Sequence, residues 1–362
     1  MTSFKDIVRQ LGFGMALIIL ASLALLYSDR SGNTSDAAQV RRIAVFKYSS
    51  RPVLDDTVAG ILDQLERRGY RDGHNISVQQ FNAENDMATA NTIAAEIASS
   101  DFYMVLTAST PCLQVMANAN KKGRVIHIFG TVTDPYGAGV GIDPLDHAKH
   151  PAHLAGVGTF QPVEKSFYLA KQMYPDLKIV GTPWTSGEAC ATACVIKARA
   201  VCAELGITLL ENTVENSPAV LEAAQSLVSR GAQALWVGGD NNVELAMDVV
   251  VRAASSKNLP VFATAPDHVE KGALFGLGAN YYEVGCVQGD MAADILDGKE
   301  DPAGIPVENI VPEKLFLNEK IRAGLRESWT FPAEILDRAD GIIGPDGVLM
   351  ERKGAHPSAT GN

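Results

Sequence analysis

From Arg41 onward, hydrophobic and polar positions repeat one pattern. A short β-branched or aromatic run ends in small polar residues, and a stretch with apolar positions three or four apart follows. IAVFKY (43–48) precedes a helix ending at Arg68-Gly69, with Gly69 as the left-handed stop. SVQQFNA (77–83) precedes a helix near 86–100, where Ala88, Ile93, Ala94 and Ile97 share one face. FYMVLTA (102–108) leads into a helix beginning at Pro111, and RVIHIFG (124–130) closes this first set. After an interval rich in Gly, Pro and His the pattern resumes with KIVGTPW (178–184), ITLLENTV (207–214), ALWVGGD (234–240) and PVFATAP (260–266). The helices between them stop at Gly206 and Gly231. ALFGLGAN (273–280), a helix over 281–296 and a strand near 307–317 complete the body.

Strands alternating with helices of about 10–15 residues indicate βαβ units and parallel sheets. Two such sets, separated near residues 140–160, predict an α/β protein with two doubly wound parallel-sheet lobes joined by hinge strands. The second set is full before residue 273, so strand 273–280 and helix 281–296 are expected to cross back and complete the first lobe. The expected first lobe is then 41–155 plus 273–300, and the second 156–272 plus 301–335. Residues 336–362 read as a mobile tail, since the stretch after about 340 lacks apolar periodicity.

Ahead of this body, residues 1–40 read as a membrane anchor or signal segment and its linker. The run LGFGMALIILASLALLY (11–27) carries no charge; Lys5 and Arg9 precede it and SDRSGNTSD follows. As a helix it spans roughly 25 Å, at the low end for a membrane crossing. No A-x-A site follows the run, and no Cys before Cys112 could take a lipid, which favours an uncleaved transmembrane helix over a cleaved signal peptide. In either case residues after about 40 are expected outside the cytoplasm, periplasmic or otherwise.

Charge and composition narrow the function. Lys plus Arg number 31 against 42 Asp plus Glu, a net charge of −11 with no long basic run, which argues against a nucleic-acid partner. At 46% hydrophobic and 20% charged the chain is globular, and five Cys in 362 residues do not make a disulfide scaffold.

In open α/β sheets, ligands bind outside the carboxyl ends of the strands, where helix N-termini offer free N–H groups. Those ends here read Tyr48-Ser49-Ser50-Arg51-Pro52, Ser109-Thr110-Pro111, Thr131-Val132-Thr133-Asp134-Pro135, Trp184-Thr185-Ser186, Asp240-Asn241-Asn242 and Pro266-Asp267. Ser109 and Thr110 suit either a helix cap or a ligand carboxylate. Asp240 suits either a ligand ammonium or the helix start, and Asn241 with Glu244 has the spacing of a capping pair. Tyr48 and Trp184 end strands in opposite sets and could grip a flat ligand across a cleft, or simply pack at sheet edges. Arg51 could clamp a carboxylate or lie in a solvated loop.

Two other constellations carry less. His147, His150 and His153 with Asp143 and Asp146 have metal-like spacing, but a Pro-broken loop explains them better, and no metal is expected. Cys190, Cys194 and Cys202 fall on one helical face, which suits burial against the sheet. No G-x-S-x-G elbow, Walker A or H-E-x-x-H motif occurs, so neither a catalytic residue nor a cofactor is expected.

Read together, KYSSRPVLDDTVAGILDQLERRGYRDGHNISVQQFNAENDMATANTIAAEI, TASTPCLQVMANA, TVTDPYGAG, LGITLLENTVENSPAVLEAAQSLVSRGAQALWVGGDNNVELA and PVFATAPDHVEKGALFGLGANYYEVGCVQGDMAADIL resemble the TrpX-like ABC transporter substrate-binding protein family, with its type I periplasmic-binding-protein fold. The resemblance runs over roughly residues 42–318. It implies a protein that closes over a small carboxylate-bearing solute, often an aromatic amino acid, and delivers it to ABC permease subunits. Carried over, Ser109, Thr110 and Asp134 belong to the first lobe's ligand surface, and Asp240, Asn241 and Asp267 to the second's; Tyr48, Ser49 and Trp184 complete the candidate set. Three features depart from the family. Trp184-Thr185-Ser186-Gly187-Glu188-Ala189-Cys190 replaces N-P-G-E-x-N-S without its Asn and Ser, the 141–155 loop is longer, and a membrane anchor stands in place of a lipid-modified Cys. The alternative function is a membrane-tethered sensing ectodomain that signals to a partner protein.

Overall fold

A computed structural model describes residues 40–352 together with Ser22; the expected membrane segment otherwise lies outside the described residues. Among the described residues, no helix is long and apolar enough to cross a membrane. The first sheet's strands and helices are β1 (Arg41–Lys47), α1 (Pro52–Arg67), β2 (Ile76–Asn82), α2 (Met87–Ser99), β3 (Met104–Ala108), α3 (Thr110–Ala119), β4 (Ile126–Val132) and β5 (Leu154–Gly158). The chain then enters α4 (Val163–Met173), β6 (Ile179–Thr185), α5 (Ala189–Leu205), β7 (Thr208–Val214), α6 (Val220–Ser229), β8 (Ala234–Val237), α7 (Asn241–Leu245), α8 (Met247–Ser255) and β9 (Val261–Ala263). It continues through β10 (Phe275–Ala279), α9 (Tyr281–Leu296), β11 (Glu308–Asn309), β12 (Glu313–Asn318), α10 (Glu319–Arg322), α11 (Ala333–Arg338), β13 (Gly341–Ile343) and β14 (Leu349–Glu351).

The strands form two sheets, of order β11-β5-β4-β3-β1-β2 and β14-β13-β12-β10-β9-β8-β6-β7. Local chemistry explains most of the helices. Pro52 sits in the first turn of α1, whose Val53, Leu54, Val58, Ile61 and Leu65 form its buried face. Gly206 ends α5 at φ 66°, in the left-handed region that a side chain disfavours.

The division into lobes differs from the sequence expectation in three places. β10 pairs in parallel with β9 and antiparallel with β12, so residues 275–279 belong to the second sheet and not to the first lobe. A tight crossover allows this: a Cβ on Gly276 or Gly278 would overlap the carbonyl oxygens of Ala265 and Thr264, so only glycine lets the returning chain lie so close. β5 and β11 pair with each other in the first sheet, although residues 156–158 and 308–309 were expected in the second lobe. The 141–155 loop holds this edge, through Val307 N–H to the His147 carbonyl at 2.9 Å and a 2.8 Å contact between His150 Nε2 and the Ile305 carbonyl. Finally, part of the stretch read as a tail is regular: β13 adds parallel to β12, and β14 folds back on it. Its short apolar run Gly341-Ile342-Ile343 gave too little periodicity to read, but the edge of β12 supplies the pairing.

Helix α9 packs on the first sheet, with Ala292, Ala293, Ile295 and Leu296 clustered around Ile43, Ile61 and Leu106. Its approach to α1 is set by glycine. A Cβ at Gly285 would overlap the Thr57 carbonyl oxygen, and one at Gly60 the Tyr282 carbonyl oxygen. In an open helix Gly→Ala stabilises by about 1 kcal/mol. At this contact Gly285→Ala is instead expected to destabilise by about 2–3 kcal/mol, the scale of overpacking, and an unchanged or raised melting temperature would count against the contact.

Candidate ligand-binding cleft

The carboxyl ends of the parallel strands carry the two rims. In the first lobe β3 runs into α3, whose N-cap Ser109 accepts the Cys112 N–H at 3.3 Å through Oγ. Ser109 has φ 116° and ψ 155°, a conformation costing roughly 1–3 kcal/mol for a residue with a side chain. The Oγ of Ser49 and the Oγ1 of Thr110 are both buried without a hydrogen-bond partner among the described residues. A buried hydroxyl left so costs about 1–3 kcal/mol, which solvent or a solute must recover. Tyr48 is 6% exposed. Burial raises its phenol to about 12, reinforced by Glu188 and Cys190 of the second lobe and by Cys112 and Asp86 of the first. Its hydroxyl therefore stays protonated and lies where the lobes meet.

In the second lobe Asp240 does not present a free carboxylate. Oδ2 accepts the Thr185 N–H at 2.6 Å; Oδ1 accepts the Thr185 hydroxyl at 2.9 Å and the Val243 N–H at 3.0 Å. Of the two roles its position allowed, the cap is the one occupied, and the same oxygens strap β6 to the start of α7. Burial first, then Glu188, raises its carboxyl to about 6, against the lowering by its hydrogen bonds. Asn241 is likewise engaged: its N–H and Nδ2 both donate to Glu188 Oε2, at 2.9 and 2.7 Å. Asp134 makes a local turn, accepting the Gly137 N–H at 3.0 Å. Trp184 packs against the second lobe's core, with the Arg199 guanidinium of α5 5.7 Å from its ring centre. Asp267 keeps one buried oxygen, Oδ2, without a hydrogen bond. It lines a cavity of about 230 Å³ with Pro52 and Val53 of the first lobe, Phe316 of the second, and Tyr281. Beside it His268 is fully buried and held neutral, its ring pushed down to about 4 by burial.

Contacts between the lobes join these rims. Arg51 reaches across to pair with Glu244 through Nη1, and its Nη2 donates to Asn241 Oδ1 at 2.7 Å. The side chains of Arg51 and Glu244 are 10% and 6% exposed. Asn85 Nδ2 donates to Asn242 Oδ1 at 2.9 Å, and Asn242 Nδ2 to Glu188 Oε1 at 3.1 Å. Arg51 is thus neither a solvated loop residue nor a free carboxylate clamp; only its Nε, buried and without a partner, is uncommitted. Sequence reasoning did not single out Asn85, and it named Asn242 and Glu188 only within strand-end segments, without a role. It placed Glu244 as a cap of its own helix, and Glu244 Oε1 does accept the Asp240 N–H at 3.3 Å while Oε2 meets Arg51.

The histidine loop has its own chemistry. His147 stacks on Tyr136 with ring centres 4.5 Å apart. Among the described residues no group of three or more His, Cys, Asp and Glu could hold a metal ion. Cys190, Cys194 and Cys202 are buried and unpaired on α5.

A family model described as ABC transporter substrate binding protein matches residues 42–343. The chain belongs to this family. It is a substrate-binding protein and not an enzyme. It is 28% identical to a tyrosine-binding protein of Clostridioides difficile (strain R20291), over 81% of this chain and 83% of that one. Among solved structures, an ABC domain from Streptococcus pneumoniae in complex with L-Trp is 26% identical with a TM-score of 0.78, covering 84% of this chain and all of that one (100%). The ligand-free, open structure of a Clostridium difficile substrate binding protein with adhesive properties is 31% identical, yet its TM-score is 0.62, over 82% of this chain and 98% of that one.

The Asp240 carboxyl is raised above its unfolded value near 3.8, so it favours the folded state most at low pH and loses that contribution as pH climbs through about 6. Denaturant melts of the native chain and Asp240→Asn between pH 4 and 7 are expected to diverge. The native chain should lose on the order of 2–3 kcal/mol relative to the variant. Parallel curves would refute this.

Proposed function

We propose that this family member is the extracytoplasmic solute-binding component of an ABC-type uptake system, anchored by its N-terminal apolar segment, and that it closes over a small aromatic amino acid for delivery to permease subunits. One observation carries the reading: Ser49 Oγ and Thr110 Oγ1 on one lobe, and Asp267 Oδ2 on the other, are buried polar atoms without a hydrogen-bond partner among the described residues. Thr110 opens the ten-residue helix α3, and Ser49 follows β1, whose Lys47 pairs with Ala108 just before that helix, a setting for a carboxylate. Asp267 offers the complementary charge for an ammonium group. Tyr48 and Tyr281, both phenols raised to about 12 by burial, bring aromatic faces to the same region. Asp240 and Asn241 serve as wall rather than contact, being filled by the protein's own groups. The tyrosine- and tryptophan-binding relatives support the choice of ligand class.

Closure desolvates these charges and strengthens each interaction with the solute. Micromolar affinity needs only about −8 kcal/mol, within reach of a few charge-assisted hydrogen bonds and one buried ring. Nothing in the cleft needs to change the solute covalently, which suits a carrier.

Thermal shift and calorimetry on the full chain with L-tyrosine, L-tryptophan and ribose test this. One of the two amino acids is expected to raise the melting temperature while ribose does not, since a ligand that binds only the folded state must stabilise it. Asp267→Asn should then weaken that amino acid about tenfold or more. A response to ribose alone would overturn the ligand class, and unchanged affinity in the variant would remove Asp267 from the site.

A further inference from the structure

We propose that Arg51 and Glu244 are a positioning pair that draws the two lobes together ahead of the ligand, so that capture depends on how often the empty cleft opens. This rests on reading the cleft as the solute site. In a binding protein whose halves are joined only through bound solute, the groups facing each other across the cleft have no need of one another. Here they pair directly with each other, Arg51 with Glu244 and Asn241, and Asn85 with Asn242.

Each side of the latch is prepared within its own lobe. The Arg51 carbonyl accepts the N–H groups of Leu54 and Asp55 at 3.0 and 2.9 Å, which ties its backbone to the first turn of α1. The Asn85 N–H donates to the Tyr48 carbonyl at 2.8 Å, fixing the second stitch to the same lobe. Across the cleft, Glu244 is held by the Asp240 N–H, and Asn241 and Asn242 by Glu188. None of these supporting bonds crosses between lobes, so all survive opening. Closing then orders little beyond one guanidinium and one amide, which keeps its entropic cost small.

Burial makes the pair all-or-none. Arg51 and Glu244 both lose water on closure, a penalty that their attraction offsets only when both are present. Removing either leaves the other's charge buried without its counter-charge, Arg51 with the Asn241 amide and Glu244 with the Asp240 N–H, which favours the open form. If solute enters only when the cleft is open and is retained only when it is closed, breaking the pair has two opposite consequences. Affinity falls, because the retaining state becomes rarer, and association quickens, because the entry state becomes commoner. A residue that merely touches the solute acts differently: its loss raises the dissociation rate and leaves association alone.

The test uses the full chain with Glu244→Ala, Arg51→Ala and the exchanged pair Arg51→Glu with Glu244→Arg, each first checked by melting. Amide exchange of rim segments 48–55 and 240–246 without ligand is expected to be about tenfold faster in the single variants and restored by the exchange. Stopped-flow binding of L-tyrosine should show association about tenfold faster and affinity about tenfold weaker in the single variants, both reverting in the exchanged pair. Equal exchange rates in native and single-variant chains, or a rise in dissociation rate alone, would overturn the latch. If L-tyrosine and L-tryptophan bind none of the proteins but the exchange rates still separate, the latch stands and the amino-acid reading falls. A single variant that does not fold leaves the exchanged pair to decide, since loss of rim protection there counts against the proposal.

Discussion

The cleft brings the carboxylates of Glu188, Asp240 and Glu244 close together where the lobes meet, Asp240 and Glu244 buried and Glu188 half-buried, and that concentration constrains everything around it. A buried carboxylate is tolerated only when donors fill its oxygens. Glu188 is filled by the amides of Asn241 and Asn242, and Asp240 by Thr185 and Val243. Glu244 is filled by the Asp240 N–H and by Arg51. Every one of these donors but one comes from the second lobe. The exception is Arg51, so the balance of donors against acceptors is complete, and Glu244 gains its counter-charge, only when the lobes meet.

Such a balance requires rims that keep their shape while the lobes move, and the sheets supply that. Asp240 ties β6 to the turn after β8, so two adjacent strand ends move as one piece. On the other side, glycines let α1 and α9 approach backbone to backbone, which fixes the first turn of α1 and with it Arg51. The chain passes between the two sheets only through short segments, after β5, after β10 and after β11. Rigid lobes on short connections favour rotation as the cheapest motion.

How much of this was legible in the sequence depended on range. Strand and helix alternation is written locally, in runs such as IAVFKY and the stops at Gly206 and Gly231, and the two-sheet α/β architecture follows from it. The lobe assignment of β10 depends on how near Thr264 and Ala265 lie to Gly276 and Gly278, and no periodicity encodes that. The two-residue β11 is too short to have a pattern and exists because β5 offers it an edge. Among candidate site residues, those at strand ends were placed near the rims, but their roles were not readable. Asp240 and Asn241 look free in the sequence because Thr185 and Glu188, which occupy them, lie more than fifty residues away (55 and 53). Arg51 and Glu244 are 193 residues apart, and neither alone suggests a partner.

The protonation states around the cleft also separate carrying from catalysis. A nucleophile or general base works when its pKa lies near the ambient pH. Asp240 rises towards that range, to about 6, but Thr185 and Val243 fill its oxygens. The other groups move away from it, Tyr48, Tyr281 and Cys194 rising to about 12, with Cys112 and Cys190 pushed well above the ordinary thiol range. His268 falls to about 4. At neutral pH the phenols and thiols keep their protons and the imidazole remains uncharged, so the groups nearest the cleft donate or accept hydrogen bonds without attacking what they hold. The same low-dielectric setting that makes an Arg–Glu pair decisive for closure also quiets the chemistry of its neighbours. A site that must hold a solute and return it unaltered gains both from one physical cause.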